Sequence, residues 1–129
     1  MHEIWKDFTF EAAHFLPHVP PCHRCARLHG HSYRCRVFAR GVLVQPQGWV
    51  LDFADISRAM APLLALLDHA CLNELEGLTN PTAENLAHWV FQRVAIVLPQ
   101  VSGIEVMETA TCGATYRPDS SRQLDPNTS

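Results

Sequence analysis

Alternation of apolar and polar residues predicts strands in the first third of the chain. In residues 4–16, Phe8 and Phe10 alternate with polar positions at the two-residue period of a strand. The same period returns in residues 31–44, where Gly41 indicates a bulge or a bend. The stretch between these segments is rich in proline and ends in glycine, so we predict a loop that joins two paired strands.

Apolar residues recur at helical spacing in the middle of the chain. Residues 54–67 show this period, and Pro62 within them predicts either a kink or two shorter helices. A second helix is predicted in residues 80–98, because the Asn-Pro-Thr at its start is suited to a helix N-terminus. After it, residues 103–111 and 113–117 predict two short strands.

The predicted elements follow the order ββααββ, which indicates the α+β fold class. We expect a four-stranded antiparallel sheet with both helices packed on one face. The length of 129 residues suits a single domain, which we place at residues 1–117. Residues 118–129 are polar and predict a disordered tail.

Composition and charge restrict the partners that this domain can have. The net charge of −3 and the pI near 6.2 argue against a broad surface that binds a nucleic-acid backbone. No apolar run is long enough to span a membrane, and the N-terminal segment lacks the pattern of a signal peptide. We therefore predict a cytoplasmic protein without nucleic-acid or membrane partners. The five irregularly spaced cysteines predict free thiols rather than disulfides.

Three histidines near the ends of the predicted strands form a candidate metal site. His29 and His31 are two residues apart, so their side chains project from the same face of a strand. His14 lies near the end of the first strand, which hairpin pairing brings beside the start of the second. Three imidazoles that leave a fourth position open are typical of a catalytic zinc ion.

A rival metal site would use the two cysteines of the loop. Cys22 and Cys25 have the spacing of a zinc knuckle. Such a knuckle needs a second ligand pair at matched spacing downstream, and the remaining cysteines occur singly. Spacing alone leaves both sites open. The knuckle would make the protein a small zinc-binding interaction module rather than an enzyme.

Six ordered stretches between Phe8 and Arg117 resemble the 6-pyruvoyltetrahydropterin synthase family: FTFEAAHFLPH, CARLHGHSY, GWVLDFADI, LDHACLNE, NPTAENLA and ETATCGATYR. The resemblance covers essentially the whole predicted domain. It is strongest to the bacterial branch that makes 6-carboxytetrahydropterin for queuosine biosynthesis. In that branch a cysteine stands before His-Gly-His at the spacing that Cys25 has here.

The resemblance implies roles for particular residues. It implies one zinc ion per subunit, held by His14, His29 and His31. It also implies a catalytic cysteine at Cys25, assisted by an aspartate–histidine pair that falls on Asp68 and His69. Alternatively, the histidine of that pair could serve only to interact with the dipole of a helix C-terminus.

The resemblance also implies how substrate is held. The glutamate that anchors the pterin falls on Glu108, and Thr109 beside it is a further candidate for substrate binding. Alternatively, Glu108 could form a salt bridge across a subunit interface. Arg24 and Arg27 are candidates for binding the triphosphate, since guanidinium groups suit phosphate oxygens. They could equally be solvated loop charges.

The reaction and the assembly are implied in the same way. The expected enzyme is a lyase that converts 7,8-dihydroneopterin triphosphate to 6-carboxy-5,6,7,8-tetrahydropterin, acetaldehyde and triphosphate. The alternative in the same family is a 6-pyruvoyltetrahydropterin synthase that stops after triphosphate elimination. The implied tunnelling fold closes three subunits into a barrel and stacks two trimers into a homohexamer, with active sites between subunits.

Overall fold

Two long strands form the centre of the sheet in the computed structural model, which describes residues 1–119. Strand β1 spans His2–His14 and strand β2 spans His29–Gly41. They pair antiparallel along their whole length, with His14 opposite His29. The sheet therefore ends, on the side of the connecting loop, at two of the predicted metal ligands. The polar tail predicted from residue 118 falls, from residue 120 onward, outside the described residues.

Within residues 1–119 the sheet has five strands and is mixed, so the predicted four-stranded antiparallel sheet is wrong. Strand β3, Ala70–Cys71, pairs parallel with β1, whereas β4, Val101–Met107, pairs antiparallel with β2, and β5, Gly113–Tyr116, with β4. The strand order is β3-β1-β2-β4-β5. Periodicity missed β3 because two residues are too few to show an alternation.

Two helices pack on one face of this sheet. Helix α1 spans Phe53–Leu67 and helix α2 spans Ala83–Val97. Each begins at a side-chain cap, because Asp52 accepts from the backbone N–H of Ala54, and Thr82 from that of Asn85. None of the helices within residues 1–119 is long and apolar enough to cross a bilayer.

Pro62 lies inside α1 without dividing it, so the alternative of two shorter helices is wrong. The proline ring is exposed to solvent, where water can satisfy the backbone carbonyl that proline leaves without an N–H donor. Met60 and Leu63, on either side of it, are buried in the core. Apolar packing therefore stabilises the helix on both sides of the proline.

The core lies between the sheet and the helices. Large, fully buried side chains come from every layer: Phe10, Tyr33, Val37, Ile56, Met60, Leu67, Leu86, Val90 and Ile104. At the end of the sheet where β2 begins, the buried apolar side chains are followed by histidines, of which His14 is itself buried. The candidate site therefore lies directly beside the core.

Candidate active site and metal centre

Three imidazole rings meet at the end of the β1–β2 pair. The ring centroid of His14 lies 4.6 Å from that of His29 and 5.1 Å from that of His31. The centroids of His29 and His31 are 5.0 Å apart. One ligand nitrogen from each ring lies within 4.8 Å of the others. Among residues 1–119, this is the group of three or more potential ligands that could hold one ion, and it includes neither Cys22 nor Cys25.

Backbone carbonyls determine which nitrogen faces the centre in two of the rings, those of His14 and His29. The Nδ1 atom of His14 lies 2.8 Å from the carbonyl oxygen of Pro81, and that of His29 lies 2.7 Å from the carbonyl oxygen of Arg27. A carbonyl oxygen only accepts, so both Nδ1 atoms carry the proton and donate. The Nε2 lone pairs are left free, which is the tautomer that a metal ligand requires.

Burial keeps two of these imidazoles neutral. His14 is 1% exposed, and burial lowers its pKa although the Pro81 carbonyl and Glu108 favour the charged form. Burial also lowers the pKa of His31, against the opposing effect of Glu108. The Nε2 atoms of both rings are buried without a hydrogen-bond partner among the described residues. Buried polar atoms rarely lack one, and neutral imidazoles are the form that binds metals.

Glu108 approaches the three imidazoles from the residue after β4. Its Oε2 atom lies 3.4 Å from Nε2 of His14 and 3.1 Å from Nε2 of His31. In the tautomer of His14 given above, a lone pair faces this negative oxygen, and the two repel. A cation between them would relieve the repulsion. The donor set therefore fits a divalent metal ion, and three histidine nitrogens are ligands that zinc accepts.

A cavity of about 580 Å³ opens on the three imidazoles. It is lined by all three histidines and by most of the other predicted site residues: Arg24, Cys25, Arg27, Glu108 and Thr109. Cys25 belongs to a short 3₁₀ turn, Arg24–Ala26, in the connecting loop. Its backbone N–H donates to the imidazole of His23, and its carbonyl accepts from the N–H of Leu16. The His23 bond caps the turn, and the Leu16 bond fastens it to the chain that directly follows β1.

Thr109 builds the turn between β4 and β5. Its hydroxyl accepts hydrogen bonds from the backbone N–H groups of Thr111 and Cys112, both at 3.2 Å. The same hydroxyl lies 3.1 Å from the sulfur of Cys112. Thr109 therefore lines the cavity while shaping the loop that carries Glu108. The pattern of the sequence offered no sign of this second use.

The aspartate–histidine pair lies apart from Cys25 within one chain. Asp68 ends helix α1 and accepts from the backbone N–H of Glu11 at 2.9 Å, while its other oxygen lies 3.0 Å from Nδ1 of His69. These two contacts, the Glu11 bond first, hold the pKa of Asp68 below its usual value. His69 has a positive φ of 61° and an 80% exposed side chain.

His69 lines a separate depression of about 360 Å³. Of the residues that line it, only His31 also lines the larger cavity. The structure therefore does not bring Cys25 and His69 into one cavity of the same chain.

The backbone of His69 also has an uncommon conformation. A positive φ is rare at residues other than glycine, and such positions are frequent at functional sites.

Sequence reasoning missed the residue that fixes the end of β1. The Asn73 side chain accepts from the backbone N–H of Phe15 at 3.0 Å and donates to the Phe15 carbonyl at 2.8 Å. Phe15 directly follows His14, so this two-point contact controls where His14 points. A single asparagine in a short 3₁₀ turn carries no pattern that could have indicated this role.

Replacing Asn73 with aspartate is expected to weaken metal binding about 10-fold to 100-fold, the usual effect of losing a contact that orients a metal ligand. The carboxylate cannot donate to the Phe15 carbonyl and would repel it. Competition with a chromogenic chelator measures the affinity. Gln92→Glu, the same amide-to-carboxylate change on the exposed side of α2, is the control. An unchanged affinity in Asn73→Asp would rule out this contact as a support of His14.

The fold and the site define a class of protein: an α+β domain with three histidines that could hold a metal ion and a cysteine in the same cavity. A model of the 6-pyruvoyl tetrahydropterin synthase family matches residues 3–119. The match covers nearly all of the described chain, so this protein belongs to that family.

Individual relatives support the same assignment. The chain is 40% identical over 119 residues to the 6-carboxy-5,6,7,8-tetrahydropterin synthase of Synechocystis sp., covering 88% of this chain and 91% of that enzyme. It is 32% identical over 91 residues to the dihydroneopterin monophosphate aldolase of Pyrococcus furiosus, covering 70% and 73%. The solved 6-pyruvoyl tetrahydropterin synthase of Caenorhabditis elegans superposes with a TM-score of 0.83 at 25% identity, covering 92% of this chain and 96% of that one.

Proposed function

We propose that this protein is a zinc-dependent lyase that converts 7,8-dihydroneopterin triphosphate to 6-carboxy-5,6,7,8-tetrahydropterin, acetaldehyde and triphosphate. The observation that carries the proposal is the cavity in which the three imidazoles and Cys25 meet. The choice of this reaction within the family rests on the 40% identity to the Synechocystis enzyme and on the position of Cys25 before His-Gly-His.

His14, His29 and His31 would hold the zinc ion through their Nε2 atoms, one ion per subunit. Bound there, zinc would supply Lewis-acid chemistry toward the hydroxyl oxygens of the substrate side chain. The protein contributes the fixed tautomers of His14 and His29, and the burial that keeps His14 and His31 neutral. It also excludes water from the inner side of the site, where His14 is buried.

Cys25 is the proposed general base, which takes a proton from a carbon of the substrate side chain. Its thiol is half-buried in the wall of the cavity that the imidazoles line. The hydrogen bonds to His23 and Leu16 hold the turn that carries it. A base positioned in this way contributes by orientation as well as by basicity.

Glu108, Thr109, Arg24 and Arg27 are the proposed substrate-binding residues. A pterin presents its 2-amino group and its N3–H side by side, and a carboxylate such as Glu108 can accept both. The contact between Glu108 and His31 would place the bound ring close to the metal centre. Both arginines line the same cavity and are exposed, so their guanidinium groups can bind the triphosphate.

The free edges of the sheet support an assembly of several subunits. β3 covers only Ala12 and Ala13 of β1, and β5 has no strand on its outer side among the described residues. Unpaired strand edges favour pairing with another chain. We propose the tunnelling-fold homohexamer of two stacked trimers, in which the Asp68–His69 pair of one subunit reaches Cys25 of its neighbour. The exposure of His69 and its separation from Cys25 favour this arrangement.

Mixed oligomers test whether the site is shared between subunits. Cys25→Ala and His69→Ala should each turn over slowly alone, but recover activity when co-assembled, because some interfaces then combine an intact Cys25 with an intact His69. Light scattering should first show that both variants are oligomers. A mixture of Cys25→Ala with Cys25→Ser is the control and should stay slow. Verified mixed oligomers without recovery would place both residues in the same subunit.

Product analysis tests the proposed reaction directly. The zinc-loaded protein is incubated with 7,8-dihydroneopterin triphosphate, and mass spectrometry should detect 6-carboxytetrahydropterin together with acetaldehyde. A 6-pyruvoyl product without acetaldehyde would identify the synthase alternative. Turnover of dihydroneopterin monophosphate, without turnover of the triphosphate, would favour the reaction of the Pyrococcus relative. No turnover, with zinc lost in both Cys22→Ser and Cys25→Ser, would favour the interaction module.

A further inference from the structure

Tyr33 carries a hydroxyl group that the proposed mechanism leaves without a role. It lies on β2 two residues after His31 and faces the same side of the sheet. The side chain is 1% exposed, and its ring stacks on that of Phe10 at 5.0 Å. The hydroxyl oxygen is buried and has no hydrogen-bond partner among residues 1–119.

A buried hydroxyl group without a partner calls for an explanation, since nearly all such groups are hydrogen-bonded. Phenylalanine would fill the same space and keep the stacking on Phe10 without burying a polar atom. Packing therefore accounts for the ring of Tyr33 but not for its oxygen. A partner that moves into reach in another state of the site would account for it.

The surroundings of the ring point to Glu108 as that partner. The Tyr33 ring lies edge-on to His31 at 5.4 Å and to His14 at 5.9 Å. The Glu108 carboxylate contacts the same two imidazoles through its Oε2 atom. The Tyr33 ring and the Glu108 carboxylate thus border the same two imidazoles, and a tyrosine hydroxyl that keeps its proton is a donor to a carboxylate.

Metal binding is the event that would change the position of Glu108. In the structure its Oε2 atom faces the nitrogens that the ion would use as ligands. An ion at the three imidazoles must either draw this oxygen closer or displace it. Either movement re-orients the carboxylate, and a donor on a fixed ring beside the two imidazoles would decide which orientation is kept.

We propose that Tyr33 is a positioning residue whose hydroxyl donates to the Glu108 carboxylate in the metal-loaded protein and holds it in the orientation that receives the pterin. The inference rests on the proposed function, because it deepens the role of Glu108 at that same site. It assigns Tyr33 no contact with the substrate.

Tyr33→Phe tests the proposal, because it removes one oxygen and keeps the ring. The dissociation constant of 7,8-dihydroneopterin, the substrate without its triphosphate, is measured by fluorescence on protein loaded with Co²⁺. We expect it to rise about 10-fold, as for the loss of one hydrogen bond to a charged group. The melting temperature of the metal-free protein should not fall. Tyr116→Phe, on the half-buried ring that stacks against His88, is the matched control and should bind the pterin normally.

A double-mutant cycle with Glu108→Gln separates positioning from a merely structural effect. If Tyr33 acts through Glu108, the effect of Tyr33→Phe on pterin binding should be much smaller in the Glu108→Gln background. An equal effect in both backgrounds, or normal binding by Tyr33→Phe, would overturn the proposal while leaving the proposed function intact. Wild-type protein that binds neither Co²⁺ nor the pterin would overturn both.

Discussion

Replacing Cys25 with alanine is expected to lower turnover by about 10²–10⁴-fold, the usual contribution of a general base. Metal content should stay at that of the wild type, because in the proposed site the three imidazoles would hold the ion without the thiol. Pterin binding should also persist, since Glu108 and the two arginines are unchanged. The effect should therefore appear in kcat and not in the affinity for the substrate.

Two measurements on each protein check this expectation: turnover under saturating substrate and metal content after dialysis. Cys22→Ala is the matched control, because Cys22 is an exposed cysteine of the same loop that does not line the cavity. The turnover and the metal content of Cys22→Ala should be nearly those of the wild type. Loss of zinc from Cys25→Ala would indicate that the cysteine is a metal ligand. Near-normal turnover of the variant would show that Cys25 is not the general base.

Replacing His29 with alanine is expected to abolish stable metal binding and turnover together. Two imidazoles do not make the three-ligand set of a catalytic zinc site. His29 is the best of the three for this test, because its side chain is only half-buried and its loss leaves the core intact. His14→Ala should have the same effect on metal, with an added loss of stability from the space it leaves in the interior.

Metal analysis and thermal unfolding with and without added zinc distinguish these effects. A ligand that binds only the folded state stabilises it by about 4 kcal/mol at a concentration 1,000 times its Kd. The wild type should gain this stability and His29→Ala should not. His88→Ala, on the exposed surface of α2, serves as control and should gain as much stability from added zinc as the wild type does. Full zinc content in His29→Ala would exclude His29 from the ligand set.

The alternation of residues along the chain was enough to predict the central hairpin and the meeting of the histidines at its end. Strand pairing follows a local two-residue period, and that period also decides which side chains share a face. His29 and His31 therefore had to project together, and the antiparallel return placed His14 beside them. The two helices were predictable from the local helical period, and α2 combines a regular apolar stripe with a capping threonine.

Only the tertiary structure decided which groups surround these histidines and which do not. The carbonyl of Pro81 and the side chain of Asn73 reach the end of β1 from residues 67 and 58 positions away, and no local period encodes such contacts. The two-residue strand β3 and the depression of His69 depend on how the chain leaves α1. The same holds for Tyr33, since a sequence records the presence of a hydroxyl but only packing decides whether anything lies within its reach.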